Sequence, residues 1–311
     1  MLRAAAAADA TVLAGWSIGE GEREGAPGLG AAVALLLAAK LRGHPTALLG
    51  ISAGRARTRR QRRFSRWLLR EADLVVLRDE LSAHHLEAAG VPGPFRIGAD
   101  PAWLDVHGRW RTGAAAPGPR RVVVAIEARA CPPDLVGKLG EALGALARQG
   151  VEIGLQPWHG PSPDGGDHGL TAELAGRIGE PVRVLAPLPD LGGAGREALA
   201  GAGAVVALGS HALIAAAAAG AAAVAVACEP AISSLARQLD QPLVAADAVA
   251  AEIADAIVAA LEHAPPRPNA VEGQIATAEE GFRLLRVLLS EGRSEEVDEL
   301  SGLPLRRGPG L

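Results

Sequence analysis

Seven polar side chains follow directly on runs of small, apolar residues, where a parallel sheet would deliver them to a ligand. Arg78 comes after "DLVVL" and Asp100 after "FRIGA". In the second half, Arg129 follows "VVVAIEA", His159 follows "VEIGLQPW", Ser210 and His211 follow "AVVALG", and Glu229 follows "AVAVAC". In open parallel sheets ligands bind outside the carboxyl ends of the strands, so these are the positions to ask for chemistry. His211 stands where a strand hands over to a helix. There an imidazole sits beside backbone N–H groups and the positive end of a helix dipole, a place that suits a phosphate or a carboxylate. The alternative is a residue that caps its helix or packs on a loop. Arg129 has the planar fork that clamps an anion, or it pairs with Glu127 or Asp134. Asp164 and Asp167 lie shortly downstream of His159.

The elements that would position these residues are legible as alternating patterns. "TVLAG", "TALLGI" and "DLVVL" read as buried strands, with helices over Leu29–Arg42, Gln61–Glu71 and Glu80–Ala89. After the break "TGAAAPGPRR" the pattern restarts with "VVVAIE", "VEIGLQP", "VRVLAP", "AVVALG" and "AAVAVAC". Helices alternate with them near Asp134–Arg148, Thr171–Ile178, Arg196–Ala202, His211–Ala219 and Ile232–Leu239. Such alternation means parallel sheets covered by helices. The expected organisation is a short N-terminal Rossmann-like domain over residues 1–112, a second over 119–265, a helix over 270–290 and a flexible tail over 292–311. Asp79 is placed to cap the helix starting at Glu80, which would make "RDELS" structural.

Composition bounds the rest. The 311 residues are 49% hydrophobic and 21% charged, the balance of a folded globular chain. A net charge of −4 gives no overall attraction to nucleic acid, and none is expected as a partner. Cys131 and Cys228 stand far apart without metal-ligand spacing, so no metal site is expected, and the thiols fit a reducing, cytoplasmic compartment. The longest apolar runs are interrupted by Gly, Ser, His and Cys, which argues against a membrane span while allowing peripheral contact. The start "MLRAAAAADATVLAG" lacks the basic region and cleavage site of a signal peptide. "GWSIGEG" lacks the spacing of a dinucleotide fingerprint. "RARTRRQRRFSR", Arg55–Arg66, is the one dense basic stretch; it faces an anionic partner or forms a solvated helix face.

Four blocks, in order over about residues 10–240, resemble the polysaccharide pyruvyl transferase family. "KLRGHPTALLGISAG" with "READLVVLRDELSAHHLEAAGV" resembles its first-domain signature, and "IGADPAW" its "ADPAF" block. "VVAIEARA" resembles the strand that delivers an arginine, here Arg129. "VVALGSHALIAAAAAGAAAVAVACEPAI" resembles "GMRLHALIFAAAAGVPVVALSYDPKV". The resemblance implies an α/β fold of two Rossmann-like domains in a glycosyltransferase-B-like arrangement, the first apparently truncated. It implies transfer of a pyruvyl group from phosphoenolpyruvate to a cell-wall or exopolysaccharide sugar as a ketal, with no metal or nucleotide cofactor. Acceptors would be glycans or lipid-linked sugars. His211 would be the acid that protonates the methylene carbon, and Asp100 would accept a hydroxyl proton or steady the developing positive charge.

The chain departs from that pattern at two places. The family's arginine of the "RLH" block falls on Gly209, and its tyrosine and lysine of "YDPK" fall on Cys228 and Ala231. These losses leave two other readings open, a non-catalytic relative that binds a glycan or partner enzyme, and a sugar-nucleotide-dependent glycosyltransferase. A shortened first sheet would expose an edge strand and apolar surface, which predicts poor solubility or a homodimer paired through that edge.

Overall fold

Apolar runs form two sheets in this computed structural model, the first parallel but for one edge strand and the second parallel throughout. It describes residues 8–18, 28–54, 58–91, 93, 95–106, 120–128, 131–161, 165–187, 194–262, 266–291 and 302–306. The chain divides into two units, residues 1–104 with 274–311, and residues 105–273. The expected linker at 112–119, and Arg129 and Asp164, lie outside the described residues.

In the first unit the strands are β1 (Thr11–Ala14), β2 (Ser17–Ile18), β3 (Thr46–Ala53), β4 (Leu74–Leu77), β5 (Phe95–Ile97) and β12 (Leu305–Arg306). Their order is β1-β3-β4-β5-β12, with β2 also pairing β3. All pairs are parallel except β5 with β12. Strand β3 is buried along its whole length, as a central strand covered on both faces must be. Leu48 and Ile51 face helices α1 (Leu29–Lys40), α2 (Arg59–Glu71) and α3 (Glu80–Ala88), in a core with Leu36, Leu68 and Leu86. Ala47 and Leu49 face the opposite way, where Leu284, Leu288 and Leu303 cover them. The long C-terminal helix α10 (Pro268–Glu291) supplies that cover, so its apolar side is part of this sheet's core.

Within the expected flexible tail, Leu305–Arg306 adds a strand antiparallel to β5. Side chains hold it there. Arg306 forks onto Glu87 through Nε and Nη2 at 2.9 and 3.0 Å and reaches Glu80 through Nη1 at 2.5 Å. The Gly302 N–H donates to Glu280 at 2.9 Å. A glycine- and charge-rich terminal sequence looks unfolded because these anchors are far away in the chain.

The second unit holds one sheet in the order β11-β10-β9-β6-β7-β8, parallel throughout. Its strands are β6 (Arg121–Ile126), β7 (Glu152–Pro157), β8 (Arg183–Val184), β9 (Ala204–Ala207), β10 (Ala223–Ala227) and β11 (Leu243–Ala245). Helices α4 (Pro133–Arg148), α5 (Gly166–Ile178), α6 (Ala194–Ala200), α7 (Ser210–Ala219), α8 (Pro230–Gln238) and α9 (Ala250–Glu262) connect them. Helix α7 is apolar all round and nine of its ten residues are buried, which is how such a helix must sit. Among the described residues no helix is long and apolar enough to cross a membrane.

Gly50 marks a register shift in β3, with φ at +58°. A Cβ there would run into the Pro101 ring and come within 2.9 Å of the Ala99 carbonyl oxygen. Gly50→Ala combines left-handed strain with overpacking and is expected to lower unfolding free energy by about 3 kcal/mol. Urea unfolding of the variant checks this, and a loss under about 1 kcal/mol would refute it.

Candidate functional site

Four neighbouring strands of the second unit, β10, β9, β6 and β7, end with Cys228-Glu229, Gly209-Ser210-His211, Glu127-Ala128 and Trp158-His159 respectively. The order matters because it brings residues distant in sequence to one sheet edge. His211 lies in the first turn of α7, and its ring stacks on Trp158, with centroids 5.9 Å apart and planes 24° from parallel. Both side chains are half-buried.

His159 is held from behind. Its backbone N–H and its Nδ1 contact the same Asp167 oxygen, Oδ2, at 2.7 and 2.8 Å. The other oxygen, Oδ1, accepts the Ala128 N–H at 2.7 Å. Asp167 is buried in the first turn of α5, whereas more than half of the His159 side chain is exposed. Pairing Nδ1–H with the carboxylate leaves Nε2 as the outward ring nitrogen able to accept a proton. Asp167 thus ties the ends of β6 and β7 together while orienting an imidazole.

The helix N-terminus beside His211 carries an internal anion. The Ser210 N–H donates to Glu229 Oε1 at 3.0 Å, so the chain's own carboxylate takes the place a ligand carboxylate or phosphate would seek. Glu127 stands on the other side. A Cβ on Gly209 would collide with its Oε2, so the carboxylate of Glu127 fills the space at the position matching the family's arginine. Burial pushes the Cys131 thiol up to about 11, with Glu173 adding to it. Burial pushes Cys228 up to about 12, helped by Cys131, Glu229 and Glu127. Ala231, matching the family's lysine, is buried in α8.

Arg78 and Asp100 meet in the first unit. Arg78 Nη1 donates to Asp100 Oδ2 at 3.2 Å, both residues being over nine-tenths buried. Asp100 Oδ1 accepts the Ala102 N–H at 2.9 Å. Asp79 caps α3 through Ser82, accepting from its N–H and its hydroxyl at 2.7 Å each, and the Ala53 N–H donates to the Ser82 hydroxyl at 3.0 Å. The segment "RDELS" is therefore a structural clamp between β3, β4 and α3, with Arg78 on its rim.

Three residues of the second-unit edge stand outside the seven singled out by sequence. They are Trp158, Glu127 and Asp167; Glu127 lies against Gly209, and only the fold shows that Trp158 meets His211 and that Asp167 reaches back to Ala128 and His159.

A family model for polysaccharide pyruvyl transferase matches residues 4–230, and the chain belongs to that family. No curated protein matches the sequence. Among solved structures it is similar to Anabaena HepE in complex with UDP, with a TM-score of 0.57 at 15% identity over 96% of this chain and 81% of that one. A UDP-N-acetylglucosamine 2-epimerase from Rickettsia bellii gives 0.55 at 15% identity over 86% and 72%. An α,α-trehalose-phosphate synthase (UDP-forming) from Burkholderia vietnamiensis gives 0.55 at 13% over 85% and 69%. At these identities the likeness is one of fold, two α/β units with parallel sheets.

Two measurements check the site. Asp167→Asn turns an amide donor toward donors already in place and is expected to cost about 2 kcal/mol of stability, read by urea unfolding. At pH 8, Cys131 should alkylate with iodoacetamide about 10²-fold more slowly than free cysteine and Cys228 about 10³-fold more slowly, each gaining about tenfold per pH unit. Since their folded values are raised, their contribution to stability is intact below about pH 8.5 and is lost as pH climbs through about 11 and 12. Rapid alkylation of native protein at pH 8 would contradict this.

Proposed function

We propose that the chain transfers a pyruvyl group from phosphoenolpyruvate to two hydroxyls of a polysaccharide sugar. The observation that carries this reading is the second-unit strand edge, where β9 and β7 are followed by His211 and His159 within a chain of the pyruvyl transferase family. In the reaction two C–O bonds form at C2 of phosphoenolpyruvate and the C2–O–P linkage breaks. The methylene carbon gains one proton to become a methyl group. The two hydroxyls give up their protons, one balancing that gain and the other leaving with phosphate. His211 is the acid that protonates the methylene in this reading, and its place at the strand edge, stacked on Trp158 in the first turn of α7, supports that role. His159, oriented by Asp167, receives a hydroxyl proton through Nε2. Arg129, just after β6 in the sequence, is the anion clamp of this reading; Arg78 and Asp100 are paired with one another and buried in the first unit.

The acceptor in this reading is a cell-wall or exopolysaccharide glycan, or its lipid-linked precursor, and the chain works in the cytoplasm, which its two free thiols suit. No cofactor beyond the donor is invoked. Strand β1 ends the first sheet among the described residues, with Val12 exposed, and it is the edge through which two copies would pair.

A second reading has its own support. Glu229 satisfies the Ser210 N–H, and Glu127 takes the space beside Gly209, so the helix N-terminus meets two carboxylates where a phosphate would need cations. A relative that keeps the fold and binds a neutral glycan fits that charge.

Calorimetric titration of phosphoenolpyruvate separates the two. The transferase reading expects a Kd between about 1 μM and 1 mM, weakened at least about tenfold by His211→Ala and strengthened by Glu229→Gln. No heat from folded protein, together with retained binding to a neutral oligosaccharide, would overturn the transferase and leave the glycan binder.

A further inference from the structure

Helix α2 carries six arginines and one acid. Arg59, Arg63, Arg66 and Arg70 are all exposed, and their spacing of i, i+4, i+7 and i+11 aligns them on one face, a stripe about 16 Å long. The opposite face buries Ser65, Leu68 and Leu69 against the first-unit core. The helix start is fixed by a reciprocal cap, in which the Thr58 hydroxyl accepts the Gln61 N–H and the Gln61 side chain accepts the Thr58 N–H, both at 3.1 Å. The stripe is therefore preformed.

These charges have little to neutralise them within the fold. Among the described residues none of the six is in an ion pair with a carboxylate. Arg66 donates to the Gly90 carbonyl at 2.6 Å, and Arg60 lies over the Phe64 ring at 5.4 Å. The single acid, Glu71, is engaged by Lys40 at 3.4 Å. Like charges at i, i+4 weaken a helix, so the stripe costs the isolated fold stability in a chain whose net charge is −4.

We infer that α2 is a docking face for an anionic lipid surface. A straight row of guanidinium groups on one side of a convex helix meets many phosphates at once on a plane. Arg60, Phe64 and Trp67 flank the row on one side, and a half-exposed indole beside arginines suits the headgroup level of a membrane. The Phe64 ring offers no open platform for a nucleobase, since Arg60 covers it. The inference is independent of the strand-edge site.

Co-sedimentation of the full chain with vesicles tests it, using phosphatidylcholine alone and phosphatidylcholine with about a third phosphatidylglycerol at about 0.1 M salt. The expected result is binding to the anionic vesicles only, abolished at about 1 M salt, where the screening length falls to about 3 Å. The triple variant Arg59→Gln, Arg63→Gln, Arg70→Gln should bind about 10²-fold more weakly. A control with the same charge change on other exposed arginines, Arg148→Gln, Arg237→Gln, Arg286→Gln, should lose less than about threefold. If the triple variant loses helix by circular dichroism, Arg63→Gln alone should still weaken binding about fivefold. Equal binding to both vesicles, no binding to either, or an equal loss in the control would overturn the inference. Tighter binding of duplex DNA through the same three arginines would also overturn it and reassign the face to nucleic acid.

Discussion

Helix α7 has no polar face, and most of the second unit follows from that. Apart from His211 every one of its residues is buried, six of them alanine. A helix enclosed on all sides can lie close to its neighbours only if its side chains are small, and each added methylene would have to displace a packed wall. Strands β9 and β10 before and after it are built from Ala and Val for the same reason. The one residue with chemistry sits at the first turn, where the helix emerges from the sheet. His211 is thereby fixed by the core behind it.

Electrostatics divides the molecule into two characters. The second-unit strand edge collects carboxylates, with Glu229 on the Ser210 N–H, Glu127 beside Gly209 and Asp167 under His159. Two of these satisfy backbone donors that would otherwise be costly to leave unpaired, so they stabilise the loops as well as colour the site. Helix α2 of the first unit carries the reverse charge on an exposed face. A net charge near neutrality describes neither region.

Much of this was readable in the residues. Continuous apolar strands between amphipathic helices announce parallel sheets, and the strand ends were therefore nameable as His159, His211 and Glu229 before any coordinates. What escaped reading is pairwise contact. Nothing in the spacing says that Asp167 would serve His159 and Ala128 together, because a residue's usefulness eight or thirty-nine positions away is set by strand order. Short elements escaped as well. Strands β2 and β12 have two residues each, too few for any periodicity, and β12 is held by Arg306 reaching Glu80 and Glu87 from over two hundred residues away. Likewise, Asp79 as a cap is a local event and legible, while the Arg78–Asp100 pair spans two strands and is not.

Gly209 and Glu127 share one space. Where the family pattern has arginine, this chain has a bare α-carbon with a carboxylate lodged against it. A side chain at 209 requires that carboxylate to turn aside, which the end of a flexible side chain does at small cost. An arginine introduced there would meet an acid as its first neighbour and pair with it before serving any ligand. A cation at 209 is therefore available to an anion only when the acid at 127 is also removed.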